Sequence, residues 1–196
     1  GLSQNFIYDL HQDSLGYLWI ATGEGIDRYN GSRFTHFNSS NGLSTDFVTC
    51  VSSHGNEIFF GHKNGAVSIF VNNKFITFIP DSILNGRIEK IVTSKKELIL
   101  WVKNKGIYKY DRRTTQVSTV FNNEEVVDLV QSKTHNVVVI TLNGCYRLLD
   151  SELQLIVSFN PKVYCLRKNK FDYISKENKY ISYDLASQKV EETTLL

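Results

Sequence analysis

The chain repeats a similar stretch of sequence five times, and this repeat constrains its fold more than any other feature. The copies align on apolar anchor positions spaced 41, 40, 38 and 37 residues apart, which are Ile7, Val48, Ile88, Val126 and Val163. Each copy contains short stretches in which β-branched and aromatic residues alternate with polar ones, a pattern typical of β-strands. Four such stretches fill each copy almost without remainder.

A unit of about 40 residues that holds four antiparallel strands is typical of a β-propeller blade. We therefore predict an all-β fold, a β-propeller of four-stranded antiparallel blades, with about five blades in this chain. A single sheet of this size cannot bury both faces, so neighbouring blades must stack. Residues 83–100 also fit an amphipathic helix, but their register with the other copies favours strands. The predicted blades are residues 1–41, 42–82, 83–122, 123–160 and 161–196.

Gly23 and Gly25 form a G-x-G pattern that a phosphate-binding loop would also show. A dinucleotide fingerprint needs a third glycine where Arg28 stands, and a helix after it, whereas the pattern here predicts a strand. Glycine recurs at the same place in the next three copies, and Asn178 replaces it in the fifth. Both residue types tolerate a left-handed backbone, so we interpret the position as a hairpin turn.

The composition excludes several classes of partner. A hydrophobic content of 41% and a charged content of 21% are ordinary for a globular protein. A net charge of +2 gives no reason to expect a nucleic acid partner, and without a long apolar run we predict no membrane contact for this segment. Methionine is absent, which we interpret as the mark of a fragment from a longer protein.

The three cysteines, Cys50, Cys145 and Cys165, show no C-x-x-C spacing. We therefore predict free, buried thiols, with no disulfide and no metal site. The histidines are scattered, and no H-E-x-x-H or G-x-S-x-G motif is present. The sequence thus offers no catalytic residue and no cofactor.

The first copy, "GLSQNFIYDLHQDSLGYLWIATGEGIDRYNG", resembles the two-component-regulator propeller repeat of bacterial hybrid sensor proteins. The second copy opens with another match, Gly42-Leu43-Ser44, and then departs, with Phe59 in place of Trp19 and His62 in place of Thr22. Later copies keep the strands but lose most of the motif. The matching residues of the first copy are Gly1-Leu2-Ser3, Ile7 to Leu10, Gln12-Asp13, Gly16, Leu18-Trp19-Ile20, Thr22, Gly25-Ile26 and Arg28-Tyr29.

This resemblance implies a periplasmic sensor segment of a membrane-bound histidine kinase. Propellers of that family usually have seven blades, so five blades would be part of a larger ring. The expected partners are an oligosaccharide ligand, the remaining propeller and signalling domains of the parent protein, and a second copy in a homodimer. No catalysis by this segment itself is expected.

Candidate ligand-binding residues lie two positions after each anchor, where the first strand of a blade lines the central channel. Asp9, Lys90 and Asp128 are charged at this position, whereas Cys50 and Cys165 are not. The three charged residues fit a polar channel mouth that binds a ligand, or a solvated channel with mutual salt links. Both interpretations stay open at this stage.

Two residues of the first copy have structural interpretations. Trp19 has large counterparts in Phe59, Leu100, Val138 and Tyr173, and we interpret it as a residue that packs between blades. Asp13 precedes Gly16 in a turn, where an Asx-type turn is expected, and a calcium site is the alternative.

Two further functions stay open beside the sensor. An enzyme propeller, a glycoside hydrolase or lyase, would need a pair of carboxylates at roughly 5–10 Å, for which Asp9 and Asp128 are the inner-strand candidates. A propeller that only binds other proteins is the other alternative.

Overall fold

The computed structural model describes residues 1–122, 125–132, 136–150, 152–158, 161, 163–167 and 169–195. The chain divides into two compact units, residues 1–124 and 125–196. Five four-stranded antiparallel sheets confirm the predicted all-β fold, three in the first unit and two in the second. In each sheet the four strands lie side by side in chain order.

The described part of the first unit contains three blades, one α-helix and a 3-10 helix at Ser39–Asn41. The strands of the first blade are β1 Ile7–Gln12, β2 Leu18–Thr22, β3 Gly25–Tyr29 and β4 Phe34–Phe37. The second blade consists of β5 Val48–His54, β6 Glu57–His62, β7 Val67–Val71 and β8 Lys74–Ile79. After helix α1 Asp81–Leu84, the third consists of β9 Ile88–Thr93, β10 Glu97–Val102, β11 Gly106–Asp111 and β12 Val117–Phe121. Residues 88–102 thus form two strands, as the repeat register predicts, whereas Ile83 and Leu84, at the start of the ambiguous stretch, belong to helix α1.

The second unit contains two blades. The fourth blade consists of β13 Val126–Gln131, β14 Val137–Thr141, β15 Cys145–Leu149 and β16 Glu152–Val157. The fifth consists of β17 Tyr164–Arg167, β18 Lys170–Ile174, β19 Lys179–Asp184 and β20 Val190–Thr194. The last strand, β20, is exposed along its whole length, in keeping with its polar sequence.

The hairpin interpretation of Gly25 is correct. Gly25 has φ +128°, and a Cβ atom there would lie 2.1 Å from the carbonyl oxygen of Phe37. No side chain fits at that position, so a phosphate-binding role is not needed to explain the glycine. Asn178, the predicted substitute in the fifth copy, has φ 58°. It adopts the left-handed backbone that asparagine tolerates.

The first strand carries a one-residue irregularity in each of the first four blades. In β1, Ile7 pairs with Thr22 but Asp9 pairs with Ala21, so Tyr8 has no partner of its own. The same shift occurs after Val48, Ile88 and Val126. A β-bulge of this kind bends the strand and re-aims the side chain that follows it. The bulge therefore directly precedes Asp9, Cys50, Lys90 and Asp128.

Apolar side chains fill the space between neighbouring blades within each unit. Trp19 and Ala21 of the first blade pack with Ile58 and Phe60 of the second. The other face of β6 carries Phe59, which packs with residues of the third blade. Trp19 and Phe59 therefore lie on equivalent faces, each directed towards the following blade, as predicted.

Leu100 and Tyr173 are not counterparts of Trp19, contrary to prediction. Leu100 packs back against the second blade in the same cluster as Phe59, and Tyr173 packs back against Val138 of the fourth blade. Side chains alternate between the two faces of a strand, so a register error of one residue exchanges the faces. In β10 the equivalent of Trp19 is Ile99, which pairs with Lys109 as Trp19 pairs with Arg28.

Cys165 is exposed, which corrects the prediction that all three thiols are buried; Cys50 and Cys145 are buried as expected.

In the part of the chain that the structure describes, no helix has both the length and the apolar character to cross a bilayer.

Candidate functional site

Asp9, the first predicted ligand-binding residue, links two blades. Its Oδ1 accepts a hydrogen bond from the backbone N–H of Leu10 at 2.9 Å, and its Oδ2 accepts one from the N–H of Val51 at 2.8 Å. Val51 lies in β5, so the half-buried carboxylate fastens the first strands of neighbouring blades together. His11, two residues further along β1, places Nε2 2.7 Å from Ser53 Oγ in the same second blade.

Asp128, in the second unit, repeats this arrangement. Its Oδ1 accepts a hydrogen bond from the N–H of Leu129 at 2.7 Å, and its Oδ2 accepts one from the hydroxyl of Tyr164 at 3.0 Å in the fifth blade. Burial, together with the adjacent Asp128 charge, raises the pKa of Tyr164 well above its usual range. Tyr164 is therefore a neutral donor to the carboxylate. Both acids have a structural role, and contact with a ligand stays a prediction.

Lys90 occupies the matching position in the third blade. It is half-buried in β9 and pairs with Trp101 of β10 immediately after the bulge. Asp9 and Lys90 belong to the first unit, whereas Asp128 belongs to the second. The ligand role predicted for Lys90 stays a prediction as well.

Asp13 forms the turn expected from the sequence and also supports Trp19. Its Oδ1 accepts hydrogen bonds from the N–H groups of Leu15 and Tyr17, at 2.9 and 3.0 Å. Its Oδ2 accepts one from the indole Nε1 of Trp19 at 2.7 Å. Both carboxylate oxygens therefore act within the first blade, which favours the turn over the calcium site.

Two cavities open at one end of the first three blades. Because the strands run antiparallel in chain order, the turns that join strand one to two and strand three to four lie at the same end of each blade. We call this end the turn edge. The first cavity, of about 350 Å³, lies between blades one and two. The second, of about 1020 Å³, lies between blades two and three. Both volumes are close to the usual range of ligand pockets.

Arg28 is the cation of the first cavity. Its guanidinium carbon lies 4.8 Å from the ring centre of Tyr17, 5.4 Å from that of Trp19 and 5.3 Å from that of Phe37. Phe70 of the second blade completes the enclosure at 5.9 Å. Each such cation–π contact contributes about 0.5–2 kcal/mol. Among the described residues, none accepts a hydrogen bond from this guanidinium, so its donors are available to a ligand.

The equivalent cations of two other blades have polar partners in their own blade. Lys109 Nζ lies 3.5 Å from Glu97 Oε2, and Arg147 Nη2 lies 3.5 Å from Asn136 Oδ1. In the first blade, aromatic rings surround the cation instead. Asn56, Asn72 and Asn73 also line the first cavity, so aromatic and amide groups lie together there.

In the second cavity, Arg112 makes contacts that the sequence does not predict. Its Nη2 lies 2.7 Å from Glu57 Oε1 of the second blade, and its Nη1 donates to the carbonyl oxygen of Ser94 at 3.3 Å. The guanidinium also lies 5.4 Å from the ring centre of Phe59. A doubled arginine beside a turn predicts a solvated surface, whereas Arg112 is an inter-blade link.

The Gly-Leu-Ser motif has a local structural function that sequence reasoning missed. The N–H and hydroxyl of Ser3 both donate to Oδ2 of the buried Asp27 at 2.8 Å, and His36 Nδ1 lies 3.2 Å from Asp27 Oδ1. In the second blade the N–H of Ser44 donates to Ser68 Oγ at 2.9 Å. In these first two blades the motif serine thus attaches the entry of the blade to its third strand.

The comparison with protein families confirms the resemblance seen in the sequence. Residues 1–24 match the two component regulator propeller. This segment runs from the Gly-Leu-Ser motif through Asp13 and Trp19 to the hairpin before Gly25. No curated protein matches the chain.

Solved structures with a similar fold come from several bacteria. The extracellular domain of a hybrid two-component system from B. thetaiotaomicron has a TM-score of 0.73 and 20% identity, with 100% of this chain and 30% of that chain covered. PorZ, a surface component of the type-IX secretion system of Porphyromonas gingivalis, has a TM-score of 0.72 and 9% identity, covering 97% and 28%. Virginiamycin B lyase from Staphylococcus aureus has a TM-score of 0.69 and 11% identity, covering 96% and 70%. The chain thus spans 30% of the first of these structures, and likenesses at these identities establish the fold.

Proposed function

We propose that this chain is part of the extracytoplasmic sensory propeller of a bacterial two-component sensor, a histidine kinase of the hybrid type. The observation that carries the proposal is the match of residues 1–24 to the two component regulator propeller. The fold shared with the extracellular domain of a hybrid two-component system supports it. The corresponding location is the periplasm.

The proposed ligand is a carbohydrate, and the module binds it without chemistry of its own. Aromatic rings and amide groups at the first cavity suit the apolar faces and hydroxyl groups of a sugar. The carboxylates of Asp9 and Asp128 each accept structural hydrogen bonds, which favours a scaffold role over that of a general acid or base. Asp9, Lys90 and Asp128 remain proposed as ligand contacts.

Signalling follows from a shift between two states of a homodimer. A ligand that binds one arrangement of the subunits more tightly than the other increases its population by that difference in affinity. The signal then passes to the remaining propeller and kinase domains of the parent protein. The segment described here supplies the binding surface.

The gene tests the sensor assignment. We expect the coding sequence beyond this segment to contain further propeller repeats, a membrane span and the phosphoacceptor histidine and nucleotide-binding motifs of a kinase. A gene that encodes a hydrolase or lyase domain instead, or that ends without a membrane span, would contradict the assignment.

Binding is tested on the purified chain. A panel of neutral and acidic oligosaccharides is screened by thermal unfolding, since a ligand that binds only the folded state raises the melting temperature. At least one oligosaccharide should raise it, and chromatography should recover that oligosaccharide intact. A panel that leaves the melting temperature unchanged would contradict carbohydrate binding by this segment.

A further inference from the structure

The second cavity carries an excess of positive charge. Four of its lining residues, Lys95, Lys96, Arg112 and Arg113, are cationic, and two, Glu57 and Asp111, are carboxylates. His54 lies at the same rim. The chain as a whole has a net charge of only +2, so this concentration of cations at one concave surface is not a reflection of the composition.

The two carboxylates of this cavity already have partners. Glu57 is paired with Arg112. Asp111 Oδ1 accepts hydrogen bonds from the N–H groups of Arg113 and Thr114, at 2.8 and 2.9 Å, and these bonds lower the pKa of Asp111. Arg112 is therefore balanced by Glu57, while Asp111 stays ionised, so the four cations and two carboxylates leave the cavity a net charge of +2.

The remaining three cations are available to a ligand. Lys95, Lys96 and Arg113 are exposed, and among the described residues none forms an ion pair or hydrogen bond with their side chains. Lys95 and Lys96 form the turn between β9 and β10, while Arg113 follows β11. They thus approach the cavity from two turns of the third blade and face the β5–β6 turn of the second.

That β5–β6 turn separates the two cavities of the turn edge. His54 and Glu57 line the second cavity, whereas Gly55 and Asn56 line the first. A chain-like ligand that crosses this short turn reaches both cavities. On the other side of this turn the ligand reaches Arg28, whose guanidinium N–H groups have no acceptor among the described residues.

We propose that the turn edge of the first three blades binds an acidic oligosaccharide, with a uronate carboxylate in the second cavity against Lys95, Lys96 and Arg113. The neighbouring sugar residues extend over the turn at residues 54–57 into the first cavity, beside Arg28 and Asn56. This inference rests on the proposed function and narrows its ligand to acidic glycans. Planar guanidinium and ammonium donors suit a carboxylate, and the flanking amide and imidazole groups suit ring hydroxyls.

The probes are tetrasaccharides in charged and uncharged forms. Tetramers of galacturonate, mannuronate, guluronate and the glucuronate-containing repeat of hyaluronan are titrated calorimetrically into the purified chain. Each is paired with its methyl ester, which keeps the sugar and removes the charge. A sulfated galactan tetramer tests sulfate as the anionic group. We expect at least one uronate to bind, its methyl ester to bind at least about tenfold more weakly, and salt to weaken the charged form.

Two double variants with the same loss of charge locate the site. Lys95→Gln with Lys96→Gln removes two cations from the second cavity. Lys63→Gln with Lys103→Gln removes two exposed cations from the turns at the opposite end of the same blades. The first pair should weaken uronate binding by about tenfold or more, whereas the second should leave it within about twofold. A Lys95→Gln, Lys96→Gln variant that melts without ligand at the same temperature as the parent chain excludes a folding effect.

The outcomes separate this inference from the proposed function. If a neutral tetrasaccharide binds and no uronate does, carbohydrate sensing survives and the acidic ligand is wrong. If both double variants weaken binding equally, or if tetraglutamate binds as tightly as the uronate, the turn edge is a general electrostatic surface and the inference is overturned. Preference for the sulfated tetramer over every uronate overturns the carboxylate assignment. If neither charged nor neutral glycans bind, both fail.

Discussion

The carboxylate of Asp9 in the first blade accepts a hydrogen bond at 2.8 Å from the backbone N–H of Val51 in the second. The acceptor is a half-buried side chain, and the donor is a backbone group. Loss of the carboxylate leaves this N–H without its partner between two blades.

Asp9→Ala should therefore lower the free energy of unfolding by about 1–3 kcal/mol. Asp9→Asn keeps a carbonyl oxygen that can accept the same bond, so its loss should be smaller. Urea unfolding followed by circular dichroism measures both variants. An Asp9→Ala variant as stable as the parent chain would contradict the inter-blade role.

Trp19 should contribute to the free energy of unfolding through both its packing and its indole N–H. Trp19→Ala removes a side chain that is 1% exposed, at an expected cost of about 3–5 kcal/mol. Trp19→Phe keeps most of the packing but leaves Asp13 Oδ2 without its donor, so an intermediate loss is expected. If Trp19→Phe matched the parent in urea unfolding, the hydrogen bond to Asp13 would contribute nothing measurable.

His62 should make stability depend on pH. Burial lowers the pKa of His62 from its ordinary 6.5 to about 4, so the folded protein holds this histidine neutral where the unfolded chain is already protonated. The unfolded state binds more protons between pH 6.5 and 4, and stability falls as the pH is lowered through that window. Protonation of His62 should lower the free energy of unfolding by about 3 kcal/mol over the full window.

The His62→Gln variant isolates this contribution, since it cannot acquire a proton. Its free energy of unfolding should fall less steeply than that of the parent chain over the same window. The part of the slope that remains includes His11, whose pKa is also lowered by burial. Parallel pH profiles for variant and parent would contradict the assignment to His62.

The three cysteines should differ in reactivity towards a thiol reagent such as DTNB. Cys165 is exposed, whereas Cys50 and Cys145 are buried. Burial raises the pKa of Cys50 above its usual range and that of Cys145 to about 12, so neither forms the reactive thiolate near neutral pH. One thiol per chain should react at once, and the other two only on unfolding. Cys165→Ser should abolish the fast phase, and a remaining fast thiol would contradict this burial pattern.

The strands and turns could be predicted from the sequence because the repeat supplies five versions of one pattern. A single copy such as residues 83–100 is ambiguous between helix and strand, and the register with the other copies resolves it. The requirement for a left-handed residue likewise identifies the hairpin at Gly25 and at Asn178. The strands and hairpins depend on residues that are close in sequence, so a short sequence pattern predicts them.

The sheet face on which Leu100 and Tyr173 lie could not be predicted in the same way. The same holds for the candidate site. The sheet face on which a side chain lies depends on the exact register of the strand, because a shift of one residue exchanges the two faces. Aligning apolar stretches between copies fixes the register only to within one or two positions. The turn-edge cavities depend on side chains from neighbouring blades, such as Glu57 with Arg112, which are 55 residues apart. The aromatic rings around the Arg28 guanidinium likewise include Phe70 of the next blade.

Binding of an oligosaccharide without its turnover can be measured in a single experiment. The purified chain is titrated calorimetrically with the neutral and acidic oligosaccharides, and the same samples are then analysed by chromatography. We predict saturable binding of at least one oligosaccharide, which is recovered unchanged. Cleavage products that form with the parent chain and disappear with Asp9→Asn or Asp128→Asn would contradict binding without turnover and identify a carbohydrate-active enzyme.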